Sequence, residues 1–267
     1  MRILVLGLLG LGLVATGEVR AAEVMPSFAG ALDGVWTVDR QAPASFGDIG
    51  TFQGHGHVLG IGLGTDPTPA AFYNTQGERH LVAGGAGSTL SALLYIPTSW
   101  SNVSNAPVRT DMWGEMHATN PGDSNLTYPI IGFTNYGSSD GNGNNGTPAS
   151  SYTGFRVYDE TTGLWDNLTA VPVAYNAWNT LSIDFTGSSF VYSVNGSIVA
   201  VDSTTEAATS FNSVIMQAYE YYNVDGVTPV AYSADWANVP EPASMLLFGV
   251  GLAGLGIARR RKTLKAA

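Results

Sequence analysis

Between its two ends, this 267-residue chain predicts an all-β fold, an antiparallel sandwich of two sheets. Three observations carry that prediction. The composition is rich in Gly, Ser, Thr, Asn and aromatic residues, and only 12 % of it is charged. No long segment repeats apolar residues at the three-and-four spacing of a helix face. Short segments that alternate apolar with polar residues recur along the chain, with turn residues between them.

Taken in order, the chain opens on Met1-Arg2, an apolar stretch from Ile3 to Ala15 and a small-residue exit at Val19-Arg20-Ala21-Ala22. That is the layout of a secretory signal peptide, so residues 1–21 are expected to be a leader cut after Ala21 and residues 22–238 the sandwich. Strands are predicted at 57–63, 91–96, 130–134, 154–158, 213–219 and 232–236, with Asp159 to Gly163 as a compact turn. The clearest stretch is 180–202. Leu181, Ile183 and Phe185 alternate with Ser182, Asp184 and Thr186, and Gly187-Ser188-Ser189 turns the chain into Phe190, Tyr192 and Val194. Asn195-Gly196 then takes the positive φ angles of a type I′ hairpin with least strain. Trp178 and Trp236 are expected in the core, and the Gly- and Asn-rich stretch 137–147 is an exposed loop by composition. There is no fixed-period repeat.

Residues 22–242 contain 20 acids and four basic residues, Arg40, Arg79, Arg109 and Arg156, with no lysine, a formal charge of −16. The whole-chain value of −10 hides this because seven of the eleven basic residues lie in the two ends. Such a body repels nucleic acid and anionic lipid headgroups, and it favours solubility and cations or neutral partners. It has no cysteine, so its core must hold it without disulfides.

The C-terminal residues 239–267 read as an address. Val239-Pro240-Glu241-Pro242 leads into an apolar run from Ala243 to Ala258, and Arg259-Arg260-Arg261-Lys262 closes it. An apolar segment with a basic end suits a membrane helix held on its cytoplasmic side, and two prolines around one acid keep the preceding peptide out of the helix. This order of parts resembles the PEP-CTERM sorting tail of Gram-negative bacteria, with Pro240, Glu241 and Pro242 as the namesake motif. The resemblance implies export, a transient inner-membrane anchor, cleavage by an exosortase and release to the cell surface or an extracellular polysaccharide matrix.

A second resemblance rests on Phe155-Arg156-Val157-Tyr158-Asp159, Gly163-Leu164-Trp165, Trp178-Asn179-Thr180-Leu181 and Tyr192-Ser193-Val194-Asn195-Gly196. It is similar to the later half of a concanavalin A-like or laminin-G-like jelly roll, and it implies that fold without carrying catalytic residues. Glycosidases of that superfamily set their carboxylates in a Glu-x-Asp-x-x-Glu or Glu-x-Asp-x-Glu strand pattern, which this chain does not contain; a pair built from distant segments stays open. The stretch Arg109-Thr110-Asp111-Met112-Trp113-Gly114-Glu115-Met116-His117 resembles the Arg-rich strand of jelly-roll polysaccharide lyases but departs at Asp111 and Trp113.

His55-Gly56-His57 sets two imidazoles on one side of a predicted strand, yet no third ligand stands near, and a structural role is favoured. Asp140-Gly141-Asn142-Gly143-Asn144 has the alternating oxygens of a calcium loop without its later glycine and glutamate, so calcium is a minor alternative to no cofactor at all. Trp113, Tyr221 and Tyr222 are the candidate sugar-stacking residues. The resulting expectation is an exported carbohydrate-binding or structural sandwich without enzymatic activity, its partners an exosortase and extracellular polysaccharide. The alternative is a secreted lyase or glycosidase with Arg109 and His117 in a cleft. A cleft of convergent carboxylate, Arg and His groups would favour the enzyme, and a shallow aromatic face would favour binding.

Overall fold

The computed structural model describes residues 22–64, 75–102, 107–117, 126–137, 152–203, 205–219 and 232–240. The expected leader, the membrane segment, the 140–144 loop and Tyr221 and Tyr222 lie outside the described residues. Among those described, no helix is long and apolar enough to cross a membrane, and a single 3₁₀ turn at Thr98–Ser101 is the helical content.

The strands are β1 (Ala22–Glu23), β2 (Thr37–Val38), β3 (Ser45–Asp48), β4 (Leu59–Gly62), β5 (Thr75–Gly84), β6 (Ser88–Ile96), β7 (Arg109–His117) and β8 (Leu126–Thr127). There follow β9 (Ile130–Gly137), β10 (Tyr152–Asp159), β11 (Leu164–Asn167), β12 (Ala177–Phe185), β13 (Phe190–Val194), β14 (Ser197–Asp202), β15 (Ser210–Tyr219) and β16 (Ser233–Asn238). One sheet runs β14-β13-β12-β6-β16-β4-β3, and the other runs β11-β10-β9-β7-β15-β5-β2 with β8 beside β7. Every pairing between strands is antiparallel except β1, which adds to the first sheet in parallel with β6. The result is a jelly-roll-like two-sheet sandwich.

Alternation explains the core. Leu181, Ile183 and Phe185 on β12 and Phe190, Tyr192 and Val194 on β13 face inward and meet Met112, Phe133, Phe155, Val214 and Met216 from the other sheet. Trp236 is fully buried as expected, and its indole N–H donates to Thr110 Oγ1 at 3.1 Å, joining the sheets through one polar contact. The Asn195-Gly196 turn has the two positive φ angles of a type I′ hairpin, 51° and 77°.

Two expectations are corrected. Trp178 is half-buried on the outer face of the first sheet, packed on Phe52 and Tyr95, while its neighbour Asn179 turns inward. Adjacent strand residues face opposite ways, and the register that buries Leu181 must expose Trp178. The strand predicted from His57 begins at Leu59, because His57 adopts a φ of 55° in a turn. His55 lies against Trp178 with ring centres 4.8 Å apart, and His57 Nδ1 pairs with Asp48 Oδ2 at 2.8 Å, so the two imidazoles do not share a ligand.

The β10–β11 turn carries a pH-sensitive group. Burial raises the Glu160 carboxyl to about 7 against its hydrogen bond from the Tyr128 amide, and the charges of Glu206, Asp202 and Asp159 raise it further. Folded Glu160 therefore holds its proton above the ordinary value of 4.5, so its contribution to stability is full below that value and is lost as pH rises through 7. Thermal unfolding of Glu160→Gln should show a weaker fall in Tm between pH 5 and 8 than the wild type and a higher Tm at pH 8. Equal slopes for the two proteins would refute this assignment.

Candidate functional site

β7 is the spine of the site. Thr110, Met112, Gly114 and Met116 turn to the core, which leaves Arg109, Asp111, Trp113, Glu115 and His117 on the outer face of the second sheet. The flanking strands add to each level of this ladder. Gln217 of β15 and Gly132 of β9 stand beside Asp111, and Arg156 of β10 stands beside Gly132. Ile215 and Ile130 flank Trp113, Arg79 of β5 lies next to Ile215, and Ser213 stands beside Glu115.

Gly132 is required where it is. A Cβ there would lie 2.8 Å from the Asp111 Cα and overlap the Thr110 carbonyl oxygen. The bare backbone lets β9 approach β7 and leaves the space above it to the side chains of Asp111 and Arg156.

The face has two electrostatic centres. At one end Arg109 Nε donates to Asp111 Oδ2 at 2.6 Å, both side chains 2 % exposed or less. The Arg109 and Arg156 guanidiniums lie 4.6 and 3.9 Å from the Trp165 ring. At the other end Glu115 accepts from Arg79 Nη1 at 3.1 Å and from the Ser213 hydroxyl, and His117 Nε2 stands 3.5 Å from its second oxygen. Asp39, which follows β2, pairs with Arg40. Burial raises its carboxyl, the charges of Arg40 and Arg79 oppose that shift, and Glu115 adds to it. By register Asp39 stands beside Gly77, at the level of Gln217 and Asp111 and not of Glu115. A groove of about 880 Å³ opens beside Glu115, lined by Arg79, Glu115, His117, Asn212 and Ser213.

Between the centres, Trp113 is 3 % exposed beneath the Arg40 guanidinium, which lies 4.7 Å from its ring. Asp111 Oδ1, Trp113 Nε1, Trp165 Nε1 and Gln217 Nε2 are buried without a hydrogen-bond partner. Buried donors and acceptors cost free energy when unmade, so these four are a local cost to the fold beneath the face.

Of the residues singled out in the sequence, Trp113 belongs to this face, Pro240 follows the end of β16, and Tyr221, Tyr222, Glu241, Pro242 and Arg259 to Lys262 lie outside the described residues. Arg109 and His117 share the face but stand at opposite ends of one strand, roughly 27 Å apart along it, so they do not meet in one cleft. Asp111 and Glu115 are also too far apart for a glycosidase pair, about 13 Å along the strand where such carboxyls need about 5 to 9.5 Å. Asp39, Arg40, Arg79, Arg156 and Gln217 were not legible as site residues. The signal for Glu115 was present, since every second residue from Arg109 to His117 is polar or aromatic while Met112 and Met116 alternate with them. Among the described residues no group of three His, Asp or Glu side chains could hold a metal ion.

The described fold is similar to those of solved carbohydrate-active proteins. A Bacillus licheniformis β-glucanase is 16 % identical with a TM-score of 0.43, the match covering 78 % of this chain and 93 % of that one. A glycoside hydrolase family 16 endo-glucanase from Bacteroides ovatus is 13 % identical with a TM-score of 0.39, covering 79 % and 97 %. A β-1,3-glucanase from Mycobacterium marinum is 12 % identical with a TM-score of 0.40, covering 79 % and 93 %. The likeness is one of fold and assigns this chain no substrate. Residues 238–262 match the PEP-CTERM protein-sorting motif, which implies an exported protein, a transient membrane anchor and processing by an exosortase. No curated protein matches the chain by sequence.

The expectation of a body without enzymatic activity is corrected here. The outer face brings carboxylate, guanidinium and imidazole together in a groove instead of presenting a shallow aromatic platform.

Proposed function

We propose that the exported body is a polysaccharide-cleaving enzyme that acts by glycoside hydrolysis on the outer face of the second sheet, at the cell surface or in the extracellular matrix. The observation that supports this reading is the groove lined by Arg79, Glu115 and His117, where carboxylate, guanidinium and imidazole meet. Hydrolysis of a glycosidic bond needs one carboxyl that keeps its proton for the leaving oxygen and a second that serves as base or nucleophile. Glu115, held by Arg79 and Ser213, has the fixed orientation that a base or nucleophile requires. Trp113, Gln217 and Asp111 are buried beneath this face, and Tyr221 and Tyr222 remain the candidates for sugar stacking.

The test is incubation of the full chain with neutral β-glucans and with uronate-containing polysaccharides at several pH values, scoring new reducing ends and new unsaturated ends. Reducing ends that vanish in Glu115→Gln support the reading. Unsaturated ends lost in His117→Ala would replace hydrolysis with lyase chemistry, and no new ends on any substrate would overturn it.

A further inference from the structure

We infer that the outer face of the first sheet, around the β3–β4 hairpin and Trp178, is the docking surface for the exosortase that removes the tail. The inference goes beyond the glycan reading and rests on the sorting motif at 238–262. Its basis is where the chain leaves the body.

β12 occupies one edge of β6 along its whole length, so β16 and β1 must share the other. β16 runs beside Leu94, Leu93 and Ala92, while β1 arrives from the opposite direction beside Ser88 and Thr89. The two segments meet at Asn238, whose side chain accepts from the Phe28 amide at 2.8 Å and donates to the Pro26 carbonyl at 2.9 Å. The slot ahead of β16 is therefore filled. Val239 turns out of the sheet and packs with Val58, Leu93 and Ala237, a cluster on the outer face that Phe52 and Trp178 complete.

That exit leaves almost no spacer. The apolar run begins at Ala243, so a cut that frees the body from its anchor falls on one of the four peptide bonds between Val239 and Ala243. Fully extended, those residues reach at most about 14 Å from the packed Val239. A domain of only about 100 residues already has a radius of gyration of about 13 Å. An enzyme that closes its active site around this peptide must therefore touch the face beside it.

The surface beside the exit is preorganised for such a contact. At the tip of the β3–β4 hairpin Gln53 and Gly54 take φ angles of 46° and 84°, the positive pair of a type I′ turn. The Gln53 carbonyl accepts from the Trp178 indole N–H at 3.1 Å, and the rings of Phe52 and His55 pack on the same indole, which pins the hairpin across the sheet. Thr51 and Gln53 are exposed on it, and residues 51–57 include no Asp, Glu, Lys or Arg. This is a rigid, neutral surface in a body of −16. The groove beside Glu115 opens on the opposite outer face, so an enzyme seated here leaves it clear.

The experiment follows tail removal from the full chain in a Gram-negative host that carries an exosortase. A photoreactive benzoylphenylalanine in place of Thr51 should crosslink to the exosortase, identified by immunoblot. The same probe in place of Thr162, exposed on the β10–β11 turn, should not. Thr51→Arg and Gln53→Arg should each slow removal at least about fivefold, since each puts an unpaired charge into a neutral contact, and Thr162→Arg should leave the rate unchanged. A Gly/Ser spacer of about 20 residues between Val239 and Pro240, with a reach of about 25 Å, should make the rate indifferent to Thr51→Arg and Gln53→Arg. A probe at Thr51 that labels only lipid, or wild-type rates in both arginine variants, overturns the inference. Faster removal once the spacer is present overturns it too, because the body would then obstruct the enzyme. A wild-type chain that keeps its tail overturns the sorting reading and this inference with it, and leaves the glycan reading in place.

Discussion

Glu115→Gln should lower glycan cleavage by about 10²- to 10⁴-fold, the usual worth of a positioned acid, base or nucleophile. The amide can still accept from the Ser213 hydroxyl, so the strand and its neighbours should hold their places. What is lost is the anion that the Arg79 guanidinium faces and the basic oxygen that the reaction needs. Initial rates on the best substrate of the panel, together with KM, check this: kcat should collapse while KM changes little, since the substitution keeps the shape of the groove. A kcat within about threefold of wild type would move the base elsewhere on the face. A rise in KM with unchanged kcat would make Glu115 a binding residue.

The second large effect is on stability. Asp111→Ala should destabilise the fold by about 3–5 kcal/mol, because it leaves a cation buried without its carboxylate. Arg109 and Asp111 are each 2 % exposed or less and joined at 2.6 Å, so water cannot take over the lost contact. Aromatic rings of Trp165 and Tyr219 lie 4.6 and 5.2 Å from the Arg109 guanidinium and recover a part of that loss. Equilibrium denaturation measures the difference, and the double variant Arg109→Met with Asp111→Leu separates pair from packing. A buried pair replaced as a unit by apolar groups should be much less destabilised than the single variant. A single-variant loss under about 1 kcal/mol would mean that the site is more hydrated than its burial implies.

Much of this was legible in the sequence because it is local. Period-two alternation decides which residues of a strand share a face, and it correctly grouped Leu181, Ile183 and Phe185 as core. The same rule applied to β7 puts Arg109, Asp111, Trp113, Glu115 and His117 on one face, although their value as a site was hidden by comparison with motifs they do not match. Asn195-Gly196 announces its hairpin through backbone preference alone, and both positive φ angles follow. The sorting motif is a contiguous run of residues and needs no fold to be recognised.

The assembly of the face was decided only in three dimensions. β5 carries Gly77-Glu78-Arg79-His80 in its middle and shows no apolar alternation, so it becomes a strand through its long pairing with β15. That pairing, and no local preference, brings Arg79 to Glu115. Arg40 and Asp39 reach the same face from the segment after β2, and Arg156 arrives two strands away on β10. Trp178 shows the same limit from the other side, an indole placed outside because its neighbours fill the core. The sequence by itself determined the all-β class, the hairpins and the address of this protein. Tertiary structure alone decided that its four arginines and two separated carboxyls meet on one sheet face, because alternation specifies which way a side chain points, while strand pairing between distant segments specifies what it points beside.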